Sequence, residues 1–327
     1  MVDKKILDSF RNKNVLVTGG TGLIGRQIVP ILCNAGAIVT IVSLDDIIID
    51  KRAFHLICDL CDFNSIKNIT LNMDYVFHIA GIKGSVEVTK KKPASFFVPL
   101  LQMNTNVLEA CRVNNVKKIV YTSSVGVYGE SEIFKENENL DGPPMDIFPG
   151  WAKKMAEKQI EAYGIQYGLK NFAIVRPTNI YGPGDNFDHE NAMVIPTLMQ
   201  RIYKKENPVV IWGDGSAIRD FTYSKDIAEG IIQALYYGTD GKFVNLGSGI
   251  EVTIKNLVET LSSFLDFNYK FDTSKPSGFP RRVMDISLAK KMINYNPSTS
   301  LEEGLKQTWE WFVLNNEEYK NKKNYFI

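Results

Sequence analysis

The stretch NVLVTGGTGLIG, Asn14–Gly25, decides the fold of this chain. NVLVT is short, apolar and rich in valine, which predicts a buried β-strand. The glycines Gly19, Gly22 and Gly25 then occupy every third position. In a strand–turn–helix unit the first glycine permits the tight turn, the second lets the backbone approach a pyrophosphate, and the third lets the helix pack on the sheet. The stretch therefore predicts a dinucleotide site.

The helix of this unit is predicted to begin near Leu23, so that its first backbone amides point at the phosphates. A glycine-rich turn without a ligand is the alternative, because a glycine triplet alone is weak evidence. Here the triplet follows a predicted strand and opens a predicted helix, which is the context that dinucleotide binding requires. The residues expected to contact the cofactor are Gly19, Gly22, Leu23, Ile24 and Gly25.

Short apolar runs alternate with helical patterns through the first half of the chain. Runs of this kind, rich in Val and Ile, are typical of strands buried on both faces of a parallel sheet. The further predicted strands are Ala37–Ser43, Phe54–Cys58, Tyr75–Ala80, Lys118–Ser123 and Phe172–Arg176. The predicted helices are Leu23–Asn34, Phe96–Asn114 and Trp151–Tyr167. The alternation predicts the α/β class, with right-handed βαβ units in a doubly wound parallel sheet.

A second, smaller domain is predicted after Pro177, where the alternation ends. Gly, Pro, Asn and Asp cluster in PTNIYGPGDNFDHEN, which is typical of a loop that lines a site. Further helices are predicted at Val194–Lys204, Tyr223–Tyr237, Ile254–Leu265 and Leu301–Asn315. We expect residues 1–178 to form the dinucleotide domain and to receive roughly 220–246, while 179–219 and 247–327 form an interleaved C-terminal substrate domain.

Composition and charge exclude several classes of partner. Of the 327 residues, 44% are hydrophobic and 23% charged, and the formal net charge is +1. A nearly neutral chain has no general attraction for nucleic acid or an anionic membrane, so neither is expected as a partner. No apolar run reaches the roughly 18 residues of a membrane helix, and the N-terminal segment lacks the apolar core of a signal peptide. A cytoplasmic location is therefore expected.

The four cysteines, Cys33, Cys58, Cys61 and Cys111, are too few for a disulfide framework. Cys58 and Cys61 form a CxxC pair, but no second pair and no histidine pair supplies the other ligands of a zinc site. We therefore predict no metal and interpret Cys58 as the end of a buried strand.

Two acidic residues follow predicted strands at positions that suit the adenosine half of a dinucleotide. Asp59 follows the third strand and is expected to accept a hydrogen bond from the adenine amino group. Asp45 follows the second strand, where a carboxylate binds the ribose diol and selects NAD. No Arg or Lys occurs between that strand and Lys51 to bind a 2′-phosphate. NAD is therefore predicted in preference to NADP.

Six motifs follow one another along the chain. They are TGGTGLIG at Thr18–Gly25, DL at Asp59–Leu60, HIAG at His78–Gly81, YTSSVGVYG at Tyr121–Gly129, RPTNIYGPGDNF at Arg176–Phe187 and WGDGSAIRDFTYSKDIA at Trp212–Ala228. In this order they resemble the extended short-chain dehydrogenase/reductase family of sugar-nucleotide epimerases, dehydratases and reductases. The likeness covers nearly the whole chain, and PTNIYGPGDNF followed by VIP is most similar to the GDP-fucose synthases.

This resemblance implies a Rossmann-like fold, a nicotinamide cofactor and a nucleotide-activated sugar, linked to GDP or UDP, as substrate. It further implies a homodimer paired through the second and third predicted helices. The other residues that it implies at the cofactor are Leu60, Ala80, Gly81, Asn104, Lys153 and Pro177.

The resemblance also implies a catalytic Ser or Thr, a Tyr and a Lys, with the Tyr four residues before the Lys. The Tyr moves the proton of the sugar hydroxyl while a hydride passes to the nicotinamide. Ser124, with Ser123 beside it, matches the Ser, and Lys153 matches the Lys. Pro149 stands in the Tyr position. Either another group takes the proton, with Tyr128 the candidate, or no strong base is needed, or redox chemistry has been lost.

Further departures from the family pattern narrow the reaction. Family 4,6-dehydratases carry an acidic pair after the Ser or Thr, whereas Val125 and Gly126 follow Ser124 here. GDP-fucose synthases epimerise with a Cys in that loop and a His before VIP, and these positions hold Val125 and Met193. Hydride transfer at one sugar carbon remains, as in a 4-epimerase or a 4-keto reductase or dehydrogenase. The alternatives are a catalytically altered binding protein and an atypical 4,6-dehydratase.

On the substrate side, Arg219 and Arg281 match family positions that bind the diphosphate of the sugar nucleotide. Arginine suits this task because its planar guanidinium donates two hydrogen bonds to phosphate oxygens. Asn179 matches a family asparagine near the sugar or the diphosphate. Lys83 and Ser85 follow the fourth strand and are expected to face the sugar.

Overall fold

The computed structural model describes residues 2–82, 84–138, 140–188 and 191–320. Its helices are α1 Lys4–Asp8, α2 Gly25–Asn34, α3 Phe63–Ile69, α4 Val86–Lys91, α5 Pro93–Val113, α6 Ile147–Tyr167, α7 Val194–Tyr203, α8 Ser224–Tyr237, α9 Ile254–Ser262, α10 Ser287–Ile293 and α11 Leu301–Lys320. Its strands are β1 Asn14–Thr18, β2 Ile38–Ser43, β3 Phe54–Ile57, β4 Tyr75–His78, β5 Lys118–Thr122, β6 Ile133–Phe134, β7 Phe172–Pro177, β8 Asn179–Tyr181, β9 Val209–Trp212, β10 Ile218–Arg219, β11 Phe221–Tyr223, β12 Phe243–Leu246, β13 Val252–Thr253, β14 Tyr269–Asp272 and β15 Arg281–Met284. A short 3-10 turn spans Val125–Val127.

Seven parallel strands form the main sheet, in the order β12-β7-β5-β4-β1-β2-β3. They include the six strands predicted from the sequence, and the predicted Rossmann-like α/β fold is confirmed. Val15 on β1 lies opposite Val39 on one side and Tyr75 on the other. The strand order therefore reverses at β1, and a doubly wound sheet binds ligands beside the carboxyl ends of its strands at such a point.

The side chains of β1 alternate between two hydrophobic cores, as a strand covered on both faces requires. Val15 and Val17 belong to the core that includes residues of α2 and α8. Leu16 belongs to the core that includes residues of α3, α5 and α6. Helices thus cover the sheet on both faces. None of the helices in the described part of the chain is long and apolar enough to cross a membrane.

β3 differs from the prediction that all these strands are buried on both faces. Phe54, Leu56 and Ile57 are exposed, at 65%, 42% and 60% of their surface. The reason is position, since β3 lies at the edge of the sheet and pairs only with β2. Cys58 follows this edge strand, which ends at Ile57, and its interpretation as the end of a buried strand was wrong.

Smaller sheets form the second part of the molecule. β8 pairs with β11, β9 pairs with β14, and β13, β10, β15 and β6 form a four-stranded sheet. β12, from the segment expected to return to the first domain, lies beside β7 in the main sheet. β6 makes the reverse exchange, since it belongs to residues 1–178 but pairs with β15 in the second part of the molecule. The domain boundaries themselves stay a prediction.

A buried carboxylate fixes the junction between these sheets. Asp220, at 0% exposure, accepts hydrogen bonds from Ser248 Oγ at 2.6 Å, from the Gly249 amide at 3.1 Å and from Thr222 Oγ1 at 3.0 Å. A carboxylate with several donors is rigidly held, because leaving any donor unpaired inside the protein is costly. Asp220 thereby holds the chain after β12 against β10, and so positions its neighbour Arg219.

Candidate active site

A cleft of about 1240 Å³ lies along the carboxyl ends of the main-sheet strands and is also lined by residues that follow β7. This volume exceeds that of an ordinary small-molecule pocket, so the cleft has room for two ligands side by side. Most residues predicted at the cofactor line it, namely Gly19, Gly22, Leu23, Ile24, Asp45, Asp59, Leu60, Ala80, Gly81, Lys153 and Pro177.

The turn after β1 leaves no space for a side chain at Gly19 or Gly25. Gly19 has a φ of +69°, and a Cβ there would come within 2.8 Å of the Ala80 backbone. A Cβ on Gly25 would overlap the Gly19 carbonyl oxygen. The helix begins at Gly25 rather than near Leu23, because residues 21–24 form a turn. The turn fits a pyrophosphate, since its backbone approaches the cleft without Cβ atoms in the way.

The two acidic residues of the predicted adenosine site both face the cleft. Asp45 Oδ2 accepts a hydrogen bond of 3.2 Å from Thr21 Oγ1, which places this carboxylate beside the glycine turn. Asp59 Oδ1 accepts from the Cys61 amide at 2.9 Å. The arrangement holds one carboxylate beside the glycine turn and the other just after β3.

Lys153 and Ser124 lie near the carboxyl end of β5, and the Lys153 ammonium lies beside Gly81 in the loop after β4. The Lys153 ammonium donates to the Thr122 carbonyl at 2.8 Å, at the carboxyl end of β5. Burial lowers the pKa of Lys153 to about 8. Ser124 lines the cleft, and its hydroxyl accepts a hydrogen bond from the Gly126 amide at 3.1 Å. A lysine of this kind supplies positive charge and a hydrogen-bond donor beside a bound ribose or hydroxyl.

Ser123 belongs to a buried network of hydrogen bonds beneath the cleft. Its hydroxyl donates to Glu157 Oε1 at 2.5 Å, and Glu157 pairs with the Arg176 guanidinium at 2.6 Å. All three side chains are buried. The network ties β5, α6 and β7 together. Ser123 also lines the cleft, so its catalytic role stays a prediction.

Tyr128 does not reach the cleft and was wrong as a substitute for the missing tyrosine. It is fully buried, its hydroxyl donates to Asn245 Oδ1 at 2.8 Å, and the Arg176 guanidinium lies 4.4 Å from its ring centroid. Burial raises the pKa of Tyr128 far above its ordinary value. A hydroxyl so enclosed has no path to a sugar.

Asn104 also lies behind the cleft wall, so the expected direct contact with the cofactor is wrong. Its Oδ1 lies 3.0 Å from His78 Nε2, and its Nδ2 donates to the Tyr121 hydroxyl at 3.2 Å. Burial lowers the pKa of His78 to about 3, so this imidazole is neutral. His78 Nδ1 lies 2.8 Å from Thr18 Oγ1, to which the Ala80 amide also donates. Asn104 thus supports the cleft wall from below.

The two consecutive arginines of β15 point in opposite directions. Arg281 pairs with Glu251 and Glu132 on the outer side. Arg282 lines the cleft, and its buried Nε has no partner in the described part of the chain. Because neighbouring side chains of a strand face opposite sides, Arg282 rather than Arg281 faces the cleft. The phosphate role expected of Arg281 stays a prediction, and Arg282 is a second candidate for it.

Arg219 stands next to Arg282 in the register of β10 with β15. Its Nη1 donates to the carbonyls of Ile218 and Phe279, both at 2.7 Å. Burial and the charge of Arg282 lower the pKa of Arg219. Two adjacent like charges repel, and a bound anion relieves that repulsion. The pair is therefore suited to a diphosphate.

The remaining substrate residues differ in where they lie. Asn179 lines the cleft and its Nδ2 donates to the Asp220 carbonyl at 3.3 Å. Ser85 instead begins α4, where its hydroxyl accepts from the Val88 amide at 3.3 Å. Lys83 lies outside the described residues.

The first turn of α6 forms one wall of the cleft at the expected tyrosine position. Pro149 is the third residue of this helix, where a missing amide proton costs no helical hydrogen bond. Ile147 and Phe148 line the cleft with it. Trp151 lines a second cavity instead, with the Lys154 ammonium 5.3 Å from its ring centroid.

No group of three or more His, Cys, Asp or Glu side chains that could hold a metal occurs within the described ranges. The two thiols of the CxxC pair are engaged separately. Cys58 Sγ donates to the Asp59 carbonyl and Cys61 Sγ to the Pro99 carbonyl.

The chain belongs to the NAD dependent epimerase/dehydratase family, whose model matches residues 15–247. GDP-L-fucose synthase 1 of Arabidopsis thaliana is 31% identical to it over 317 residues, or 94% of this chain and 95% of the relative. Among solved structures, UDP-glucose 4-epimerase of Thermotoga maritima with UDP-glucose has a TM-score of 0.81 at 28% identity, over 93% of this chain and 99% of the other. A GDP-L-fucose synthetase of Naegleria fowleri bound to NADP has a TM-score of 0.79 at 27% identity, over 94% of each chain.

These relatives confirm the family that the motifs indicated, and with it the prediction that this chain is an enzyme of the sugar-nucleotide epimerase, dehydratase and reductase class. The family uses NAD or NADP. Since its members catalyse several reactions on one scaffold, the reaction of this chain must be argued from its own residues.

Proposed function

We propose that this enzyme moves a hydride between a nicotinamide cofactor and one carbon, C4, of a nucleotide-activated sugar. The observation that carries the proposal is a single cleft with a glycine turn and Lys153 in its dinucleotide half, and with the Arg219–Arg282 pair behind its substrate half. When bound, the cofactor accepts or returns the hydride at its nicotinamide ring. Lys153 would bind the nicotinamide ribose, and Ser124 would donate to the sugar oxygen at which charge develops.

NAD is the proposed cofactor because Asp45 stands beside the glycine turn. A carboxylate there accepts the two ribose hydroxyls of NAD and repels the 2′-phosphate of NADP. The related structure from Naegleria fowleri is bound to NADP. A preference for NADP is therefore the result that the experiment has to exclude. Dissociation constants for NAD and NADP, measured on the same preparation, decide between them, and tighter binding of NADP would defeat this proposal.

A GDP- or UDP-linked hexose is the proposed substrate because the arginine pair suits a diphosphate. The buried, unpartnered Nε of Arg282 supports this assignment, since a buried donor without an acceptor is costly until a ligand supplies one. Asn179, on the same wall, would bind the sugar or the diphosphate.

The proposal is tested by incubating the purified enzyme with NAD and a panel of GDP- and UDP-hexoses. Formation of NADH, or inversion at C4, is the expected result. Lys153→Met is expected to abolish it. Lys158→Met is the matched control, because Lys158 lies on the exposed side of α6 in an ion pair with Glu161. No turnover with any sugar, and no difference between the two variants, would contradict the proposal.

Pro149 favours a second candidate, a binding protein that retains the nucleotide sites without catalysis. Its signature is tight binding of cofactor and sugar nucleotide with no hydride exchange. Pro149→Tyr, which places a phenol four residues before Lys153, would then create activity where the natural chain has none. An atypical 4,6-dehydratase is distinguished by its product, a 4-keto-6-deoxy sugar, in the same incubation.

A homodimer in the cytoplasm is part of the same proposal. Val98 on α5 and Met155 on α6 are exposed apolar side chains on the two helices expected to pair, at 47% and 42% exposure. Light scattering is expected to give twice the chain mass, and Met155→Glu is expected to lower it.

A further inference from the structure

The proposed reaction needs a proton acceptor that Pro149 does not provide. Helical side chains face the same side at spacings of three and four residues. Asp146, Pro149 and Lys153 follow that spacing from the residue before α6 into its second turn, and all three line the cleft. Of these three residues, Asp146 and Lys153 have side chains that can exchange a proton. The carboxylate of Asp146 is the one that can accept it.

The Asp146 side chain lies against the turn that follows Ser124. A Cβ on Gly126 would overlap the Asp146 carboxylate, so only a glycine admits the carboxylate at this point. The Asp146 amide donates to the Gly126 carbonyl at 3.2 Å, which fixes the backbone of both residues. The carboxylate is therefore held beside the loop that carries the predicted catalytic serine.

The direction of helical side chains relates the expected tyrosine to Asp146. A side chain on α6 leans toward the N-terminus of the helix, over the preceding turn. A tyrosine at position 149 would therefore extend toward the turn that contains Asp146. The carboxylate approaches the same part of the cleft from a position one turn earlier.

Within the described part of the chain, the Asp146 carboxylate packs against Gly126 but accepts no hydrogen bond. It precedes α6 at the N-cap position, yet its side chain makes no capping hydrogen bond. Asp146 lines the cleft, and desolvation by the surrounding protein raises the pKa of its carboxyl. Within the described residues the Arg282 guanidinium, facing it from β15, acts against this by lowering the pKa. Along its own helix the nearest cation toward the cofactor end is Lys153.

We propose that Asp146 is the catalytic base that takes the role of the absent tyrosine, an assignment that rests on the proposed function. As the C4–H hydride passes to the nicotinamide of NAD, the proton of the C4 hydroxyl passes to an Asp146 carboxylate oxygen, and C–OH becomes C=O. In the reverse direction the same proton returns to the oxygen as the hydride returns to carbon. Carbon is oxidised, NAD is reduced, and no other reactant is needed.

Asp146→Asn tests this assignment with little structural change, since Asn matches Asp in size and in N-cap preference. Loss of a general base costs about 100-fold or more in kcat. The expected result is that loss, with dissociation constants for NAD and sugar nucleotide within about threefold of the natural chain. Asp141→Asn, an exposed residue of the same segment, is the matched control and is expected to keep full activity.

Rescue by a second variant separates chemistry from folding. Asp146→Asn combined with Pro149→Tyr restores an acid–base group four residues before Lys153 and is expected to regain at least tenfold of the lost kcat. A readout without cofactor comes from carbon NMR of labelled aspartate carboxyls. A carboxyl that titrates above the ordinary aspartate range and is absent in Asp146→Asn supports the assignment, and its absence from the natural chain contradicts it.

The outcomes distinguish this assignment from the function on which it rests. Turnover by the natural chain with full turnover by Asp146→Asn overturns the assignment and leaves the function standing. No turnover of any nucleotide sugar by the natural chain overturns the function, and the assignment falls with it.

Discussion

The two ends of the cleft differ in how they are built. At the glycine turn after β1, the geometry depends on the absence of Cβ atoms at Gly19 and Gly25. At the corner between β5 and α6, it depends on which side chains face the cleft, and there Pro149 replaces the expected tyrosine. A backbone site tolerates almost no substitution, whereas a proton acceptor can be supplied from a neighbouring turn. We therefore expect the glycine turn to be shared across the family and the corner between β5 and α6 to differ with the chemistry.

Gly25→Ala is expected to have the largest effect, because its Cβ would overlap the Gly19 carbonyl. Either the turn or the helix must move, at a cost of about 1–3 kcal/mol. NAD binding is expected to weaken about 100-fold, equivalent to ~2.7 kcal/mol. Titration calorimetry measures this. Gly164→Ala in α6, where a Cβ comes no closer than 3.6 Å to its neighbours, is the control and is expected to bind NAD normally. Equal binding by the two variants would show that the turn does not hold the cofactor.

Arg282→Ala is expected to weaken sugar-nucleotide binding about 10- to 100-fold, as for loss of hydrogen bonds to a charged group. Arg281→Ala, one residue earlier, removes only the outward pairing with Glu251 and Glu132 and is expected to bind normally. Equilibrium binding of UDP and GDP sugars to both variants compares the two faces of β15. A larger loss in Arg281→Ala would assign the diphosphate to Arg281 instead.

Asp45→Asn is expected to shift the cofactor preference toward NADP by about tenfold, because it removes one negative charge beside the expected 2′-position. The amide retains a hydrogen-bond acceptor, so NAD binding should weaken less than NADP binding improves. The ratio of the two dissociation constants is the measurement. An unchanged ratio would remove Asp45 from the cofactor site.

Lys153→Met is expected to have a smaller effect, on how the free energy of unfolding depends on pH. The folded-state pKa of Lys153 is about 8, below the ordinary value of about 10.4. Between these values the unfolded chain binds a proton that the folded chain does not, so the free energy of unfolding rises with pH across this window. After allowance for solvent contact the rise is about 1 kcal/mol. Urea unfolding at several pH values between 7.5 and 10 is expected to show it in the natural chain and not in Lys153→Met. Parallel curves for the two would place the Lys153 pKa at its ordinary value.

Local patterns predicted the dinucleotide half of the molecule well. β1 has the predicted bounds, and the glycines lie where the turn requires them, because both depend on short-range sterics and strand hydrophobicity. The burial of β3 was not predictable in this way. Whether an apolar strand lies at an edge depends on which strand comes next to it, and that is decided by distant segments of the chain.

The catalytic half was less predictable for a related reason. Asn104 and Tyr128 fit the motif pattern, but partners far along the chain, His78 and Asn245, hold them inside the core. The alternation of side chains along β15 could have indicated that Arg282 and Arg281 face opposite sides. Asp146 had one as well, its spacing from Pro149 and Lys153, but its value depends on the space at Gly126, which only the folded structure reveals.

Hydride transfer at C4 of the sugar is tested most directly by following an isotope through a single turnover. The enzyme with NAD is mixed with GDP- and UDP-hexoses that carry deuterium at C4. The reaction is quenched within the turnover, before an epimerase returns the label to the sugar, and the nucleotides are analysed by mass spectrometry. Hydride transfer at C4 predicts deuterium on the nicotinamide ring of the reduced cofactor. Sugar nucleotides that bind tightly yet leave no label on the cofactor would contradict it.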